Sequence, residues 1–153
     1  MNTNIDELQS VFDKKIPITQ SIKIKVKEFN NNQLELFAPL KENINHVNTA
    51  FGGSLYNLAV LTGWGMVYMI QQENNLDGNI LIFDSSISYP KPINTDMKAV
   101  CDVSLQLEEI KRFVKTYNRK KLSRITLKVN IFDNNSNCGA VFEGTYVLTA
   151  NNN

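Results

Sequence analysis

The chain has 153 residues and a mass of 17.4 kDa, which is the size of one domain with a substantial core. Hydrophobic residues make up 42% of the sequence and charged residues 20%, a balance that excludes a chain disordered throughout. The formal net charge of +1 gives no reason to expect nucleic acid or a membrane as a partner, so electrostatic recognition should be local.

Two features of the sequence favour the cytoplasm. Cys101 and Cys138 are the only cysteines, neither has metal-ligand spacing to a second Cys or His, and the first residues contain no apolar signal region. The longest apolar stretch, Leu55 to Ile70, is interrupted by polar residues and glycines and is shorter than the ~20 residues that a bilayer crossing needs. We therefore expect a buried helix there.

The first part of the chain predicts a helix followed by a hairpin. Apolar residues at helical spacing indicate a short amphipathic helix that Pro17 closes. From Ser21, strict alternation of apolar residues with lysines predicts a half-buried strand. The run Asn30-Asn31-Asn32 tolerates left-handed turns and leads into a return strand around Leu34 and Leu36.

The rest of the chain predicts one long helix and further strands. The helix runs from about Phe51 to Gln72 and is apolar nearly all round, as expected of a helix enclosed by other elements. The domain is expected to span residues 1–150, with a disordered tail at 151–153. The remaining predicted elements are strands at Ile80 to Tyr89, Lys98 to Leu105, Leu122 to Phe132 and Ala140 to Leu148, and a helix at Gln106 to Tyr117. This order favours an α+β fold, in which a curved antiparallel sheet wraps around the central helix.

The start of the long helix is the most informative segment. The run from Asn45 to Leu55 is uncharged and contains two adjacent glycines, Gly52 and Gly53, where the helix begins. Glycines allow a ligand to approach the backbone, and the first N–H groups of a helix carry partial positive charge. Such a site can hold a carbonyl oxygen or an anion.

Several motifs resemble one known family. They are Ala38-Pro39-Leu40 through Asn45, Thr49 to Leu55, Leu61-Thr62-Gly63-Trp64-Gly65, Tyr89-Pro90-Lys91-Pro92 and Phe142 to Tyr146. Together they resemble the YiiD C-terminal-like family of hotdog-fold proteins, which is named for thioesterases and includes malonyl-acyl carrier protein decarboxylases. The resemblance covers essentially the whole chain and implies a hotdog fold.

The wider hotdog superfamily has a pattern of asparagine, His-Gly-Gly and a later aspartate. On this chain the asparagine falls on Asn45, the glycines on Gly52 and Gly53, and Phe51 takes the place of the histidine. Val60 takes the place of the acid. Thioester hydrolysis needs a carboxylate or a water that a carboxylate activates, and valine supplies neither.

Decarboxylation of a malonyl thioester has a different requirement, because it needs donors that stabilise an enolate oxygen and needs no base. We therefore expect Asn45, Gly52 and Gly53 to be catalytic. The expected reaction converts malonyl-acyl carrier protein to the acetyl form and so primes fatty-acid synthesis, with no cofactor beyond the substrate's phosphopantetheine. The alternatives are a thioesterase using an acid such as Glu42 or Asp84, and a non-catalytic module that binds acyl thioesters.

Several residues at the helix start have a possible structural role besides the functional one. Asn45 caps a turn in one reading and donates to substrate in the other. Ser54 is expected to cap the helix, with substrate contact as the alternative, and Asn57 to bond either the substrate or a partner chain. Phe51 and Val60 are expected to line the substrate site, and His46 to be a solvent-facing loop residue.

A basic stretch runs from Lys111 to Arg124 without an acid. In one reading it is a solvated helix face and loop. In the other, Arg119, Lys120 and Lys121 receive the phosphate of phosphopantetheine or the acidic surface of acyl carrier protein, and Lys91 points into the same cleft. The resemblance also implies a homodimer or higher homo-oligomer with a shared site. The choice between coenzyme A and carrier protein stays open.

Overall fold

A computed structural model describes residues 3–152 of the chain. Residues 1, 2 and 153 lie outside the described part, so the predicted domain of 1–150 and the predicted tail of 151–153 are described only within these limits. The elements in chain order are α1 Thr3–Lys15, α2 Ile18–Ser21, β1 Lys25–Asn30, β2 Gln33–Ala38, a 3-10 turn Lys41–Asn43, α3 Gly52–Glu73, β3 Asn79–Ser88, β4 Met97–Asp102, α4 Leu107–Lys120, β5 Leu122–Phe132 and β6 Cys138–Thr149.

The six strands form one antiparallel sheet in the order β1-β2-β4-β5-β6-β3. The sheet curves around α3, whose buried side chains meet those of every strand from β2 to β6. Leu58, Met66 and Met69 of α3 are among the fully enclosed core residues. This is the hotdog architecture, and the fold prediction is confirmed.

The first predicted strand begins later than the alternation suggested. Pro17 opens a second short helix, α2, and the chain then turns at Lys23, whose φ of 57° is left-handed. Ile22 and Ile24 are buried as expected, but they lie in this turn, and β1 begins only at Lys25. The prediction of a strand from Ser21 was wrong, because alternating burial also occurs where a turn packs onto a core.

The two edges of the sheet differ in protection. The β1 edge exposes Lys25 and Lys27, has a register shift between Val26 and Glu28, and is covered by α1, where Gln9 accepts the N–H of Val26 at 2.8 Å. The β3 edge is ten residues long and has its own register shift between Ile82 and Asp84, and Asp84 is its only charged residue. Both edges have such an irregularity, but lysines and a covering helix protect only β1 from pairing, so β3 is the more open edge.

Helix α4 closes a gap in the sheet. β4 pairs with β5 only over residues 98–100 and 130–132, so the first half of β5 has no strand on that side. α4 packs against it, burying Phe113 and Tyr117, and Gln106 donates to the carbonyl of Thr126 at 3.0 Å. None of the helices within residues 3–152 is long and apolar enough to cross a bilayer.

Candidate functional site at the start of helix α3

Three backbone N–H groups are free where α3 begins. The first helical hydrogen bond closed by the segment is from Leu55 N–H to the carbonyl of Phe51, at 3.0 Å. Within the described chain, the N–H groups of Gly52, Gly53 and Ser54 have no acceptor. The position before the helix is Phe51, which makes no side-chain cap, so the expectation that Ser54 caps the helix was wrong. The N-terminal dipole of a 22-residue helix therefore faces the site unneutralised.

The two glycines at this point have different neighbours. A Cβ on Gly53 would lie 2.4 Å from a ring carbon of Phe51, so this ring lies directly over the glycine. A Cβ on Gly52 would lie 3.6 Å from the Tyr89 ring, which is ordinary van der Waals contact. Phe51 is 55% exposed, so its ring presents apolar surface beside the free N–H groups.

Asn45 organises the loop that precedes the helix. Its side-chain oxygen accepts the N–H groups of Val47 at 3.0 Å and Thr49 at 3.1 Å, and its amide donates to the Thr49 hydroxyl at 2.9 Å. An amide nitrogen carries two hydrogens, so one N–H of Asn45 is left for a ligand. Asn45 therefore stabilises the loop, as the turn-capping alternative predicted, and one N–H of its side-chain amide remains without an acceptor among the described residues.

Two tyrosines surround the same helix start, although no sequence pattern assigned them to the site. The Tyr89 hydroxyl donates to the carbonyl of Gly52 at 3.1 Å, while the hydroxyls of Tyr56 and Ser85 lie 2.9 Å apart. Burial of the ring, and then the nearby Tyr56, raise the pKa of Tyr89, so it stays protonated at neutral pH. The order of the elements could have placed Tyr89 at the site. Because β3 runs antiparallel to α3, the residue that follows β3 lies beside the start of α3.

Of the two acids considered for hydrolysis, Asp84 faces away from α3, whereas Glu42 lies beside the helix start, next to Asn43, whose carbonyl accepts the Phe51 N–H at 2.8 Å. α3 contains no acid before Glu73. Asp84 pairs across the sheet with Thr145, whose hydroxyl bonds Thr126 on the exposed face, whereas Ser85 points inward to α3. Because directly opposed residues share a face, Asp84 lies on the side away from α3. Glu42 is exposed on the 3-10 turn.

One stripe of α3 is only half covered. Asn57, Val60, Trp64 and Tyr68 recur at helical spacing and are all half-buried, in contrast to the buried residues between them. The Asn57 amide donates to the carbonyl of Gly53 at 2.9 Å, so its nitrogen serves the helix and its oxygen stays available. Val60 lies in the middle of the stripe and Trp64 stacks on Tyr68 with ring centroids 5.8 Å apart.

The predicted cations do not meet the glycines in one protomer. Arg119 and Lys120 end α4, and Lys121 bonds Asp77 at 3.2 Å, next to the C-terminal end of α3. A helix of 22 residues is about 33 Å long, so these cations and the glycines lie at opposite ends of α3. Lys91 is exposed two residues after Tyr89, at the glycine end. The prediction that Lys91 shares a cleft with Arg119, Lys120 and Lys121 was therefore wrong within a single chain.

The family model described as "Putative thioesterase (yiiD_Cterm)" matches residues 5–150. The chain belongs to this family. A protein of unknown function from Chlorobaculum tepidum has a similar structure, with 31% identity, a TM-score of 0.91 and coverage of 98% of this chain and 100% of that one. A structure titled "putative thioesterase" from Shewanella oneidensis is 30% identical, with a TM-score of 0.84 and coverage of 97% and 99%.

More distant similarities concern the fold alone. The E. coli PaaI protein from the phenylacetic acid degradation operon is 12% identical, with a TM-score of 0.69 and coverage of 97% of this chain and 95% of that one. The family assignment makes the chain a thioesterase-like hotdog protein, and such a family indicates an enzyme that acts on thioesters. Among the described residues, no group of three or more His, Cys, Asp or Glu side chains could hold a metal ion.

Proposed function

We propose that this protein decarboxylates malonyl-acyl carrier protein to acetyl-acyl carrier protein, in the cytoplasm, and so primes fatty-acid synthesis. One observation carries the proposal: three unpaired N–H groups, at Gly52, Gly53 and Ser54, lie at the start of a helix that contains no carboxylate before Glu73. Such donors stabilise an oxyanion, and the helix that provides them carries no side chain near its start that activates water.

The proposed reaction breaks the bond between the malonyl carboxylate and the α-carbon. The electron pair of that bond moves towards the thioester carbonyl, giving an enolate oxygen and releasing carbon dioxide, and protonation of the α-carbon then yields the acetyl thioester. The backbone N–H groups of Gly52 and Gly53, with the remaining N–H of Asn45, donate to the enolate oxygen. Loss of one such donor typically costs about 3 kcal/mol of transition-state stabilisation.

The surroundings of the donors favour departure of the carboxylate. The exposed ring of Phe51 and the half-buried Val60 present apolar surface next to the helix start. A carboxylate held against such a surface loses the hydration that stabilises its charge. Carbon dioxide is neutral and does not depend on hydration in this way. Tyr89 and the Tyr56–Ser85 pair hold the glycine segment in place through the carbonyl of Gly52 and the neighbouring strand.

The site is completed by a second copy of the chain in this proposal. The open β3 edge and the half-covered stripe of α3 lie side by side, and Leu81, Ile82 and Phe83 are 57%, 41% and 60% exposed. Two copies related by a two-fold axis would pair their β3 strands antiparallel. The Ser88 end of one strand would then lie beside the Asn79 end of the other, bringing Trp64 and Tyr68 of one copy towards Gly53 of the other.

Thioester hydrolysis is the second candidate, because the family description names it. It would need a carboxylate from the other protomer, and the same β3 pairing makes Asp77 the candidate, since it lies two residues before β3 begins at Asn79. The hydrogen bond from Lys121 lowers the pKa of Asp77, which keeps it ionised. A non-catalytic acyl-thioester binding module is the third candidate and would retain ligand without forming product.

The test is incubation of the protein with malonyl-acyl carrier protein and, separately, with malonyl-coenzyme A, followed by mass analysis of the thioester. We expect the acyl group to lose the mass of carbon dioxide and to remain attached as acetyl. Release of free malonate would establish hydrolysis. Binding of the substrate without any change of mass would establish the binding module.

A further inference from the structure

The outer side of α4 carries a large open groove that the site above does not use. The groove has a volume of about 590 Å³ and lies between α4 and the end of α3. Ile110 and Val114 form its floor and are half-buried, while the rim is polar or basic. The lining residues are Asn74, Ile110, Lys111, Val114, Lys115, Asn118 and Arg119.

The cations of the groove form a row along the helix. Lys111, Lys115 and Arg119 are four residues apart, which places them one above another on one face. Lys111 bonds Glu108 at 2.8 Å, but no carboxylate of the described chain lies within 4.0 Å of Lys115 or Arg119. Like charges at this spacing repel each other, and an anionic partner would relieve the repulsion.

We propose that this groove is the docking surface for the acidic helix of an acyl carrier protein, and this rests on the proposed function. A row of cations beside an apolar floor complements an amphipathic helix with an acidic face and an apolar stripe. The basic row is only one helix wide and ends at Glu108 and Glu109 in the first turn of α4. This pattern favours a helix of a protein over a nucleic acid or an anionic membrane, which would need a wider basic surface.

The position of α4 connects the groove to the candidate site of the other protomer. The Tyr117 hydroxyl donates to Asp77 at 3.2 Å and Lys121 bonds the same carboxylate, so α4 ends where β3 begins. Pairing of two β3 strands would place this end beside Tyr89 and Gly52 of the partner subunit. A carrier protein on one α4 would therefore deliver its thioester to the glycines of the opposite chain, along Lys121.

The experiment compares three forms of the full-length protein: wild type, the double variant Lys111→Glu with Lys115→Glu, and a matched control, Lys14→Glu with Lys25→Glu. Both variants change the net charge equally, and the control lysines are exposed and lie on α1 and β1 instead of α4. Arg119 is left intact because it is also a candidate phosphate ligand. The two readouts are titration with unacylated holo-acyl carrier protein and turnover of malonyl-acyl carrier protein against malonyl-coenzyme A.

We expect the groove variant to weaken carrier binding and raise the KM for the carrier substrate by about tenfold, with coenzyme A turnover unchanged and the control like wild type. Equal carrier binding by wild type and groove variant would overturn the docking proposal. An equal loss of turnover on the carrier substrate and the coenzyme A substrate would also overturn it. Binding of an oligonucleotide or of anionic vesicles, in place of the carrier, that depends on these lysines would overturn it as well. Lysine-dependent carrier binding without turnover of either substrate would retain the docking surface and reject the proposed reaction.

Discussion

The substitution Asn45→Asp separates the two roles of this residue. In the structure its oxygen accepts two backbone N–H groups and its nitrogen donates to Thr49. An aspartate keeps both acceptor bonds, and the Thr49 hydroxyl can turn to donate to it, so the loop is preserved. The variant lacks only the spare N–H that we assign to the enolate oxygen, and it places a negative charge near that oxygen.

The expected magnitudes differ for activity and stability. Loss of one oxyanion donor lowers kcat by about 10²- to 10³-fold, while the unfolding free energy of Asn45→Asp should stay within about 0.5 kcal/mol of wild type. Asn45→Ala loses all three bonds, at about 0.5–1.5 kcal/mol each before allowance for solvent exposure, so about 1–2 kcal/mol of stability should be lost as well. Denaturant unfolding and decarboxylation assays on both variants measure the two effects. Turnover of Asn45→Asp within about threefold of wild type would refute the donor role.

Three further predictions test the surroundings of the site. Gly52→Ala should fold normally, since its methyl would only touch Tyr89 at 3.6 Å, but should lower turnover because the methyl adds bulk to the segment that donates to the enolate oxygen. Gly63→Ala should lose about 1–3 kcal/mol of unfolding free energy, since its methyl would lie 2.2 Å from the buried Tyr146 hydroxyl. Phe83→Lys should give a folded monomer in sedimentation experiments, because Phe83 is 60% exposed and a lysine there would meet its own copy near the two-fold axis. Burial raises the pKa of Cys101 to about 12, so at pH 8 about one thiol in 10⁴ is ionised and alkylation in the folded state should be undetectable until denaturant is added.

Controls distinguish these results from general damage. Leu105 is 99% exposed and lies away from β3, so Leu105→Lys should leave the oligomeric state unchanged. A Phe83→Lys protein that remains a dimer would contradict self-pairing of β3. Gly63→Ala with wild-type stability would show that the Tyr146 ring can move, and rapid alkylation of Cys101 without denaturant would show that the core opens readily.

The spacing of apolar residues predicted most of the helices and strands, because an element that is buried on one face needs apolar residues at regular intervals. β5 runs from Leu122 to Phe132 as predicted, since each inward residue meets α3 or α4, and the turn residues Asn31 and Asn32 have the left-handed φ values of 45° and 63° that asparagine tolerates. The start of β1 could not be predicted in the same way. Ile22 and Ile24 alternate in burial within a turn, and only the tertiary structure shows where pairing with β2 begins.

Only those parts of the candidate site that consist of residues close together in the sequence could be predicted. Gly52 and Gly53 at the start of a helix follow from composition and spacing, because the geometry of a helix terminus is local. The contact of Tyr89 with Gly52 joins residues 37 positions apart and depends on the antiparallel course of β3. Likewise, the sequence does not reveal that α4 ends beside Asp77, at the opposite end of α3 from the glycines.

The central claim is that the acyl oxygen is stabilised by backbone donors and that no water attacks the thioester. A single turnover of malonyl-acyl carrier protein in water labelled with ¹⁸O, followed by mass analysis of every acyl product, measures this directly. We expect acetyl-acyl carrier protein without ¹⁸O in its thioester carbonyl, together with one equivalent of carbon dioxide. Free malonate carrying one ¹⁸O atom would contradict it.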